Sequence, residues 1–482
     1  MVRTLCPPGK TTLCRHVVTG RYCQSDLVGR HPGGQPERDA VGTGPQSQGQ
    51  GSRLDHWVGA YAARTRGMTA SEIRALFAVA SRPEVVSLAG GMPYLSALPL
   101  DVVGATIGNM INERGAVALQ YGSGQGDPQL REQILDVMAP HQIEAHPDEI
   151  VVTTGSQQAL DLVTRIFVDP GDVVVAEAPS YVGALGVFSS YQAEIAHVPL
   201  DDDGLIPEAL DETLTALRRA GRRVKLLYTV PNYHNPAGVT LSAARRPRIL
   251  EIAERHDVLI VEDDPYGLLG FDGDPLPALR ASSSEHVIYL GSFSKTFSPG
   301  VRVGWAVAPH AVREKLVLAS EAAILCPSAF SQLTVSTYLE THDWKHQVGL
   351  FREMYRERRD AMIEGLEECI PQARRTHPQG GFYVWVTLPE GLDSKAMLPR
   401  AVTERVAYVP GTAFYADGQG RRHMRLSYCY PTPSRIREGI RRLATVVNAE
   451  LELQETFDSR PGARPGGPGP RAGVQSPGPE IT

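Results

Sequence analysis

The sequence predicts an α/β protein with a large, mostly parallel sheet flanked by helices and a smaller α+β domain. Short Val- and Ile-rich runs alternate with longer amphipathic stretches as far as about residue 343, which is typical of parallel strands joined by helices. After Asp343 the pattern changes to a long charged helix followed by mixed strands and helices. The 482 residues, 42% of them hydrophobic, suffice for two buried cores.

The composition divides the chain into five parts. Residues 1–54, rich in Gly, Pro, Gln and Arg, are expected to be a disordered N-terminal leader. Residues 55–100 are expected to form an N-terminal arm and part of the small domain. The large domain is predicted over 101–343 and the small C-terminal domain over 344–456. The Pro- and Gly-rich stretch 457–482 is expected to be a disordered tail.

Six apolar runs are the predicted strands of the large sheet. In chain order they are EIVVTT near Val151, DVVVAE near Val174, KLLYTV near Leu226, VLIVED near Ile260, VIYLGS near Ile288 and VGWAVA near Ala306. Ligands of such sheets bind at the carboxyl ends of the strands. Polar residues that directly follow these runs are therefore the candidate site residues.

The charge and the cysteines argue against several classes of protein. A formal net charge of -6 lacks the basic surplus of a general nucleic-acid binder. No apolar run approaches the roughly 18–20 residues of a membrane helix. The six cysteines form neither a disulfide framework nor a CxxC metal pair. We expect no metal, nucleic-acid or membrane partner, and a reducing cytoplasm as the location.

The segment from Ser292 to Arg302 is the strongest candidate for chemistry. A lysine that forms an imine must lose its proton, and burial and nearby cations lower the pKa of a lysine toward that condition. Lys295 follows an apolar strand and precedes Arg302, so it is a candidate for such a lysine. Ser292, Ser294 and Arg302 supply donors for a phosphate. For any single lysine the alternative is a solvated surface position, but this one follows an apolar strand.

A second phosphate site is predicted where Gly155 separates a strand from an amphipathic helix. The free N–H groups and dipole of a helix N-terminus attract anions, with Ser156 and Gln157 as donors. Alternatively, Ser156 is an N-cap with only a local role.

Three further segments follow strands or carry charge. Asp263, in EDDPY, could keep a ring nitrogen protonated, or belong to a solvated acidic loop. Asn235 lies in a turn that Asn-Pro and Gly explain by themselves, and its amide could also reach a ring oxygen. Arg425 suits a substrate carboxylate, or is one more surface arginine.

These segments, in this order, resemble the fold-type I pyridoxal 5'-phosphate (PLP) enzymes, specifically the class I/II aminotransferases. The resemblance spans about Arg66 to Leu453. TASEIRALF, SLAGGMP and EDDPYG are most similar to the 2-aminoadipate and kynurenine aminotransferase subgroup. Related transcription regulators carry this domain behind a winged helix, but the segment before Asp55 is too short for one.

The resemblance implies a role for each candidate residue. The catalytic residues would be Lys295, as Schiff-base lysine and general base, Asp263, as partner of the pyridine nitrogen, and Tyr266. Among the other implied cofactor-binding residues, Asn235 contacts the ring oxygen, as Tyr266 does, and Tyr181 stacks on the ring. The implied phosphate ligands are Ser156, Gln157, Ser292, Ser294, Arg302 and, from the partner subunit, Tyr121. The implied substrate-binding residues are Arg425 for the α-carboxylate, Arg74 for a distal carboxylate, Asn235 and Gly91.

The activity implied is transfer of an amino group from an L-amino acid of 2-aminoadipate, aromatic or branched-chain type to a 2-oxo acid. The expected acceptor is 2-oxoglutarate, the expected kinetics are ping-pong, and the expected assembly is a homodimer with shared active sites. Another fold-type I PLP enzyme (a β-lyase, cyclase or decarboxylase) and a non-catalytic PLP-binding sensor remain alternatives, because a fold does not fix a reaction. His234 has no assigned role.

Overall fold

The computed structural model of the protein describes residues 57–68 and 82–458. Residues 57–60 form a turn, in which the Ala60 N–H donates to the Trp57 carbonyl at 2.8 Å. The predicted leader, the segment that carries Arg74, and the tail beyond Asp458 lie outside the described residues.

The helices of the described residues are numbered in chain order. They are α1 (Leu100–Ala118), α2 (Pro128–Met138), α3 (Ser156–Phe167), α4 (Val182–Ser190), α5 (Pro207–Arg219), α6 (Arg246–His256), α7 (Leu279–Ser282), α8 (His310–Ile324), α9 (Ala329–Thr341), α10 (Trp344–Cys369), α11 (Ser394–Thr403) and α12 (Pro433–Asp458). Among the described residues, none of these helices combines the length and the apolar character needed to cross a bilayer.

The strands are numbered in the same way. They are β1 (Val86–Ser87), β2 (Ile150–Thr153), β3 (Val173–Ala178), β4 (Glu194–Asp201), β5 (Gly204–Leu205), β6 (Val224–Thr229), β7 (Leu259–Asp263), β8 (Val287–Ser292), β9 (Gly304–Val307), β10 (Arg374–Arg375), β11 (Tyr383–Thr387), β12 (Val406–Ala407), β13 (Val409–Pro410) and β14 (His423–Ser427).

The large sheet has eight strands in the order β2-β9-β8-β7-β6-β3-β4-β5. The inner strands from β8 to β4 pair in parallel, whereas β9 runs antiparallel to both its neighbours. The prediction of a large, mostly parallel sheet is confirmed, and all six predicted strands are in it. Strands β4 and β5 were not predicted, because β4 is largely half-exposed and its apolar residues are interrupted by His197 and Pro199 and so form no continuous run.

Helices cover both faces of this sheet. Val174 and Leu226 pack with Leu160 of α3 and Phe188 of α4 on one face. The next residue along β3, Val175, belongs to the apolar cluster of the opposite face, together with helices α5 and α6. Side chains of a strand alternate between faces, so a strand buried on both sides reads as a continuous apolar run.

A second, smaller sheet has the order β10-β11-β14-β13 and is antiparallel throughout. The helices α10 and α12 pack together beside it, and their apolar residues, such as Met362 and Ile440, share one cluster with β11 and β14. The short strand β1 pairs in parallel with β12. The predicted small α+β part is thus confirmed as a separate sheet.

The direction of the parallel strands determines where the candidate residues lie. The carboxyl ends of β3, β6, β7 and β8 meet at one edge of the large sheet. Each is followed there by a polar segment that carries candidate residues, so residues far apart in the sequence lie close together.

Candidate active site

A cavity of about 410 Å³ lies at this edge of the large sheet. Its walls come from the loops after the parallel strands, from the turn at Gly91 and from strands β11 and β14. Most of the candidate residues line it, namely Gly91, Ser156, Gln157, Tyr181, Asn235, Asp263, Tyr266, Ser292, Ser294, Lys295, Arg302 and Arg425. The structure therefore gathers into one cavity candidate residues that lie in separate segments of the sequence.

Lys295 follows β8 and extends its amine into the cavity. Its Nζ donates a hydrogen bond to the Gly91 carbonyl at 2.8 Å. Burial of the amine lowers the pKa of Lys295 to about 8, and the positive charges of Arg425 and Arg302 favour the same direction. A much larger fraction of this lysine is therefore a free, nucleophilic amine at neutral pH than of an exposed lysine.

Asp263 is the last residue of β7 and is only 5% exposed. Its Oδ2 accepts a hydrogen bond from the Tyr228 hydroxyl at 2.8 Å. Its Oδ1 is buried and has no hydrogen-bond partner among the described residues. Burial raises the pKa of Asp263 to about 7, and the hydrogen bond from Tyr228 opposes this rise. Asp263 Oδ1 is thus a buried acceptor that can take a hydrogen bond from a bound, protonated donor.

The phosphate-type donors come together at the start of α3. The Ser292 hydroxyl donates to Ser294 Oγ at 2.9 Å, and Arg302 Nη1 donates to the same oxygen at 3.3 Å. Arg302 Nη2 donates to the Thr154 carbonyl at 3.2 Å, just before the helix begins at Ser156. A guanidinium, two hydroxyls and the free N–H groups of a helix N-terminus together form an anion site.

This anion site requires very close backbone approach. Gly155 has φ +81°, and a Cβ on it would lie 2.3 Å from Arg302 Nη2. Gly304 on β9 passes so near α3 that a Cβ there would lie 2.5 Å from the Ser156 nitrogen. Both positions accept only glycine without displacing the site.

Arg425 on β14 is buried, and two aromatic rings and two hydrogen bonds hold its guanidinium. It lies 4.2 Å from the Tyr383 ring centroid and 5.0 Å from that of Phe414. Its Nη1 donates to Asn235 Oδ1 at 2.9 Å, and its Nη2 donates to the Ala89 carbonyl at 2.7 Å. Its Nε has no hydrogen-bond partner among the described residues. The cavity thus contains a fixed cation with donors left for a carboxylate.

Tyrosines form much of the remaining wall. The Tyr181 hydroxyl donates to Gln157 Oε1 at 3.2 Å, and Gln157 Nε2 donates to the Gly183 carbonyl at 3.1 Å. Because both polar atoms of its side chain are engaged in these hydrogen bonds, the donor of Gln157 that remains for an anion is its backbone N–H. Burial raises the pKa of Tyr181 to about 12, so its hydroxyl stays neutral. Tyr266 lies with its hydroxyl 3.4 Å from that of Tyr383.

Two candidate residues are not in the cavity. Tyr121 is 77% exposed and is not among the described residues that line the cavity of its own chain. Arg74 lies outside the described residues. Conversely, Tyr228 and Tyr383 were not predicted as site residues. Both lie in apolar strands, where a tyrosine is most simply interpreted as a core residue. A buried tyrosine hydroxyl needs a hydrogen-bond partner, and this requirement is the signal that could have identified the two residues from the sequence.

The cavity fits the cofactor that the resemblance implies. PLP carries an aldehyde, a phosphate and a basic ring nitrogen. Lys295 supplies an amine with a lowered pKa, the start of α3 with Arg302 supplies an anion site, and the unpartnered Asp263 Oδ1 supplies an acceptor for a protonated nitrogen.

Comparison with known proteins agrees with the geometry. The family described as aminotransferase class I and II matches residues 84–443. Aromatic-amino-acid aminotransferase 1 of Thermococcus litoralis is 43% identical over 396 residues, which cover 81% of this chain and 95% of that protein. The 2-aminoadipate transaminase of Thermus thermophilus is 37% identical over 402 residues, covering 82% and 98%. The kynurenine aminotransferase structure from Pyrococcus horikoshii, in complex with PMP, superposes with a TM-score of 0.79 at 40% identity, covering 83% and 100%.

The fold, the cavity and these matches all support the same family assignment. The large sheet and the separate small antiparallel sheet are those of a fold-type I aminotransferase. Its substrates are amino acids and 2-oxo acids, and its cofactor is pyridoxal 5'-phosphate. The chain belongs to the class I and II aminotransferases and is a PLP-dependent transaminase of amino acid metabolism.

Proposed function

We propose that this transaminase moves the amino group of an aromatic, 2-aminoadipate-type or branched-chain L-amino acid to 2-oxoglutarate by a ping-pong mechanism. The observation that carries the proposal is the joint placement of Lys295, with its lowered pKa, and Asp263, with its free buried oxygen, in one cavity. The named activities of the relatives on aromatic amino acids and 2-aminoadipate support the choice of donor.

In the proposed mechanism Lys295 would hold the cofactor covalently until the substrate amine replaces it, and the released Lys295 amine would then move the proton at the substrate α-carbon. Bound PLP supplies a ring that withdraws electrons from that carbon. Asp263 would keep the ring nitrogen protonated through its unpartnered Oδ1, while Tyr228 holds the other carboxylate oxygen. A lysine with a pKa of about 8 suits both tasks, because it can accept and return a proton near neutral pH.

The remaining residues orient the reactants. Asn235 and Tyr266 would hold the ring oxygen, and Tyr181 would stack on the ring. Arg425 would bind the α-carboxylate, because the second protons of its two Nη groups and the unpartnered Nε remain available. Gly91 would contribute its backbone beside the substrate, where a Cβ would meet the Tyr383 hydroxyl at 2.0 Å. The proposed phosphate ligands are Ser156, Gln157, Ser292, Ser294 and Arg302.

We also propose a homodimer in which Tyr121 reaches the phosphate of the partner's site. Its support is a cluster of exposed apolar side chains, formed by Leu119 and Tyr121 after α1, by Leu325 after α8 and by Phe330 in the first turn of α9. The two segments lie side by side, since a Cβ on Gly122 would be 3.6 Å from the Ala329 Cβ. Contiguous apolar surface of this kind marks a protein interface.

Two finer assignments complete the proposal. Arg74 would meet a distal carboxylate of the substrate, on the basis of the motif that carries it. A cytoplasmic location is supported by the free thiols Cys326, Cys369 and Cys429, which suit a reducing compartment.

The test adds a panel of L-amino acids to the purified PLP-bound enzyme and follows its visible spectrum. Transamination predicts loss of the visible band and growth of a near-ultraviolet band, reversed by 2-oxoglutarate. The donor that reacts fastest identifies the substrate class. Release of pyruvate with ammonia, or of CO2, without the reversible spectral change would contradict the proposal and indicate a lyase or decarboxylase.

A further inference from the structure

A histidine and a glutamate are buried together behind the cavity wall. His234 and Glu177 are each 1% exposed, and neither lines the cavity. His234 Nε2 lies 3.0 Å from Glu177 Oε2. Burying a carboxylate is costly unless it is well hydrogen-bonded, so this pair needs a structural or functional reason.

Glu177 joins three segments of the chain. It lies near the end of β3, and its Oε1 accepts a hydrogen bond from the Thr229 hydroxyl at 2.8 Å. Its Oε2 accepts one from the Val230 N–H at 2.9 Å. The contact with His234 adds the turn that follows β6. Two hydrogen bonds and the contact with His234 therefore hold this carboxylate in place.

The proton of His234 can be placed from its neighbours. Nδ1 lies 3.2 Å from the Ala237 backbone N–H, which can only donate. Nδ1 is therefore the acceptor, and the proton of a neutral imidazole is on Nε2. Among the described residues, Nε2 makes no hydrogen bond of good alignment. The Glu177 oxygen lies 3.0 Å from Nε2 and is an acceptor within its reach.

This pair bears directly on Asn235. The backbone of His234 fixes the turn, because its N–H donates to the Val239 carbonyl at 2.8 Å and its carbonyl accepts from Gly238 at 2.6 Å. The next residue, Asn235, accepts from Arg425 through Oδ1. Arginine has no acceptor, so Oδ1 must face it, and the Asn235 amide N–H group is left to donate.

We propose that the Glu177–His234 pair is a positioning device for Asn235 and, through it, for Arg425. The carboxylate anchors the imidazole to the ends of β3 and β6, and the imidazole holds the turn that carries Asn235. This inference rests on the proposed roles of Asn235 and Arg425. His234 and Glu177 are positioning residues, because neither lines the cavity.

The test compares His234→Leu with His234→Gln and with a direct Asn235→Ala variant. Glutamine reproduces a donor near the Nε2 position, whereas leucine removes both nitrogens. Tyr408→Phe is the control for loss of a buried hydrogen bond, since the Tyr408 hydroxyl donates to the Ser394 carbonyl at 2.6 Å and Tyr408 does not line the cavity. The readouts are kcat and KM, the melting temperature, and the pH midpoint of the visible band of the PLP-bound protein.

We expect His234→Leu to raise KM about tenfold or more, because a displacement of about 1 Å in a positioned group can cost up to about 100-fold. We expect His234→Leu and Asn235→Ala both to raise the pH midpoint of the visible band, because both would weaken the hydrogen bond from residue 235 to the ring oxygen. His234→Gln should restore most of both values. Tyr408→Phe should lower the melting temperature alone.

Two results would overturn the inference in distinguishable ways. If Asn235→Ala changes KM and the midpoint but His234→Leu lowers only the melting temperature, the pair is merely structural. If Asn235→Ala itself changes neither, the proposed role of Asn235 fails, and the positioning role fails with it. Should His234→Leu not fold, His234→Asn replaces it, because asparagine keeps the acceptor for Ala237 but loses the group that reaches Glu177.

Discussion

Replacing Asp263 by asparagine should change how the stability of the cofactor-free protein depends on pH. The folded chain holds this carboxyl with a pKa of about 7, against an ordinary value of 3.8. Between these values the unfolded chain has released the proton and the folded chain still binds it, so stability falls as pH rises. Each pKa unit corresponds to about 1.4 kcal/mol, so the full loss is on the order of 4 kcal/mol by pH 7.

Asp263→Asn removes this titration with little other change. The Tyr228 hydroxyl, which donates to Asp263 Oδ2, can donate equally to the oxygen of an asparagine. We therefore expect the variant to gain stability relative to the wild type from about pH 4 to pH 7 and to gain no more above it, while its transaminase rate falls steeply. The difference between the two proteins also cancels the contribution of Glu262, whose pKa burial likewise raises to about 7.

The assay is urea unfolding of both cofactor-free proteins at one-unit pH steps from 4 to 8. Asp202→Asn, the same change at an exposed aspartate between β4 and β5, is the control for loss of a carboxyl that the fold does not bury. A difference between Asp263→Asn and the wild type that does not vary with pH would contradict this expectation, because it would mean that burial in the fold does not penalise the charged carboxyl.

Three further changes test other parts of the site. Gly155→Ala should destabilise the chain by about 1–3 kcal/mol, as expected for a strained backbone residue, and weaken PLP binding; urea unfolding and titration of the cofactor-free protein with PLP would measure both. Arg425→Lys should raise KM for every amino acid about tenfold to a hundredfold, since hydrogen bonds to charged groups contribute about 1.5–3 kcal/mol each; an unchanged KM would remove its carboxylate role. Arg74→Ala should raise KM mainly for dicarboxylic substrates in steady-state kinetics, and an equal effect on all substrates would contradict the role given to it.

The sequence was sufficient for the elements whose signal is local. A buried parallel strand is a continuous apolar run, so Val174 and Ile260 marked their strands without any knowledge of neighbours. Lys295, Asp263 and Asn235 were proposed because each lies at the end of such a run or a few residues after it, and the ends of parallel strands meet at one edge. The domain boundaries near 101 and 343 remain proposals, supported by the separation of the two sheets.

Contacts between distant segments were beyond the sequence. His234 and Glu177 are 57 positions apart, and they meet only because β3 and β6 are neighbours in the sheet although β4 and β5 lie between them in the chain. Tyr383 comes from the small sheet and reaches the cavity only through the packing of β11 beside the large sheet. The role proposed for Tyr121 would require a second copy of the chain, whose position no pattern within one chain can predict.

The proposed mechanism depends above all on a covalent link between Lys295 and the cofactor. Reduction of the PLP-bound protein with borohydride, followed by peptide mass spectrometry, detects that link at the level of single residues. We expect a phosphopyridoxyl group on Lys295 and none on any other lysine, and we expect Lys295→Ala to abolish the modification. A modified lysine elsewhere, or unchanged covalent labelling of Lys295→Ala, would show that Lys295 does not hold the cofactor.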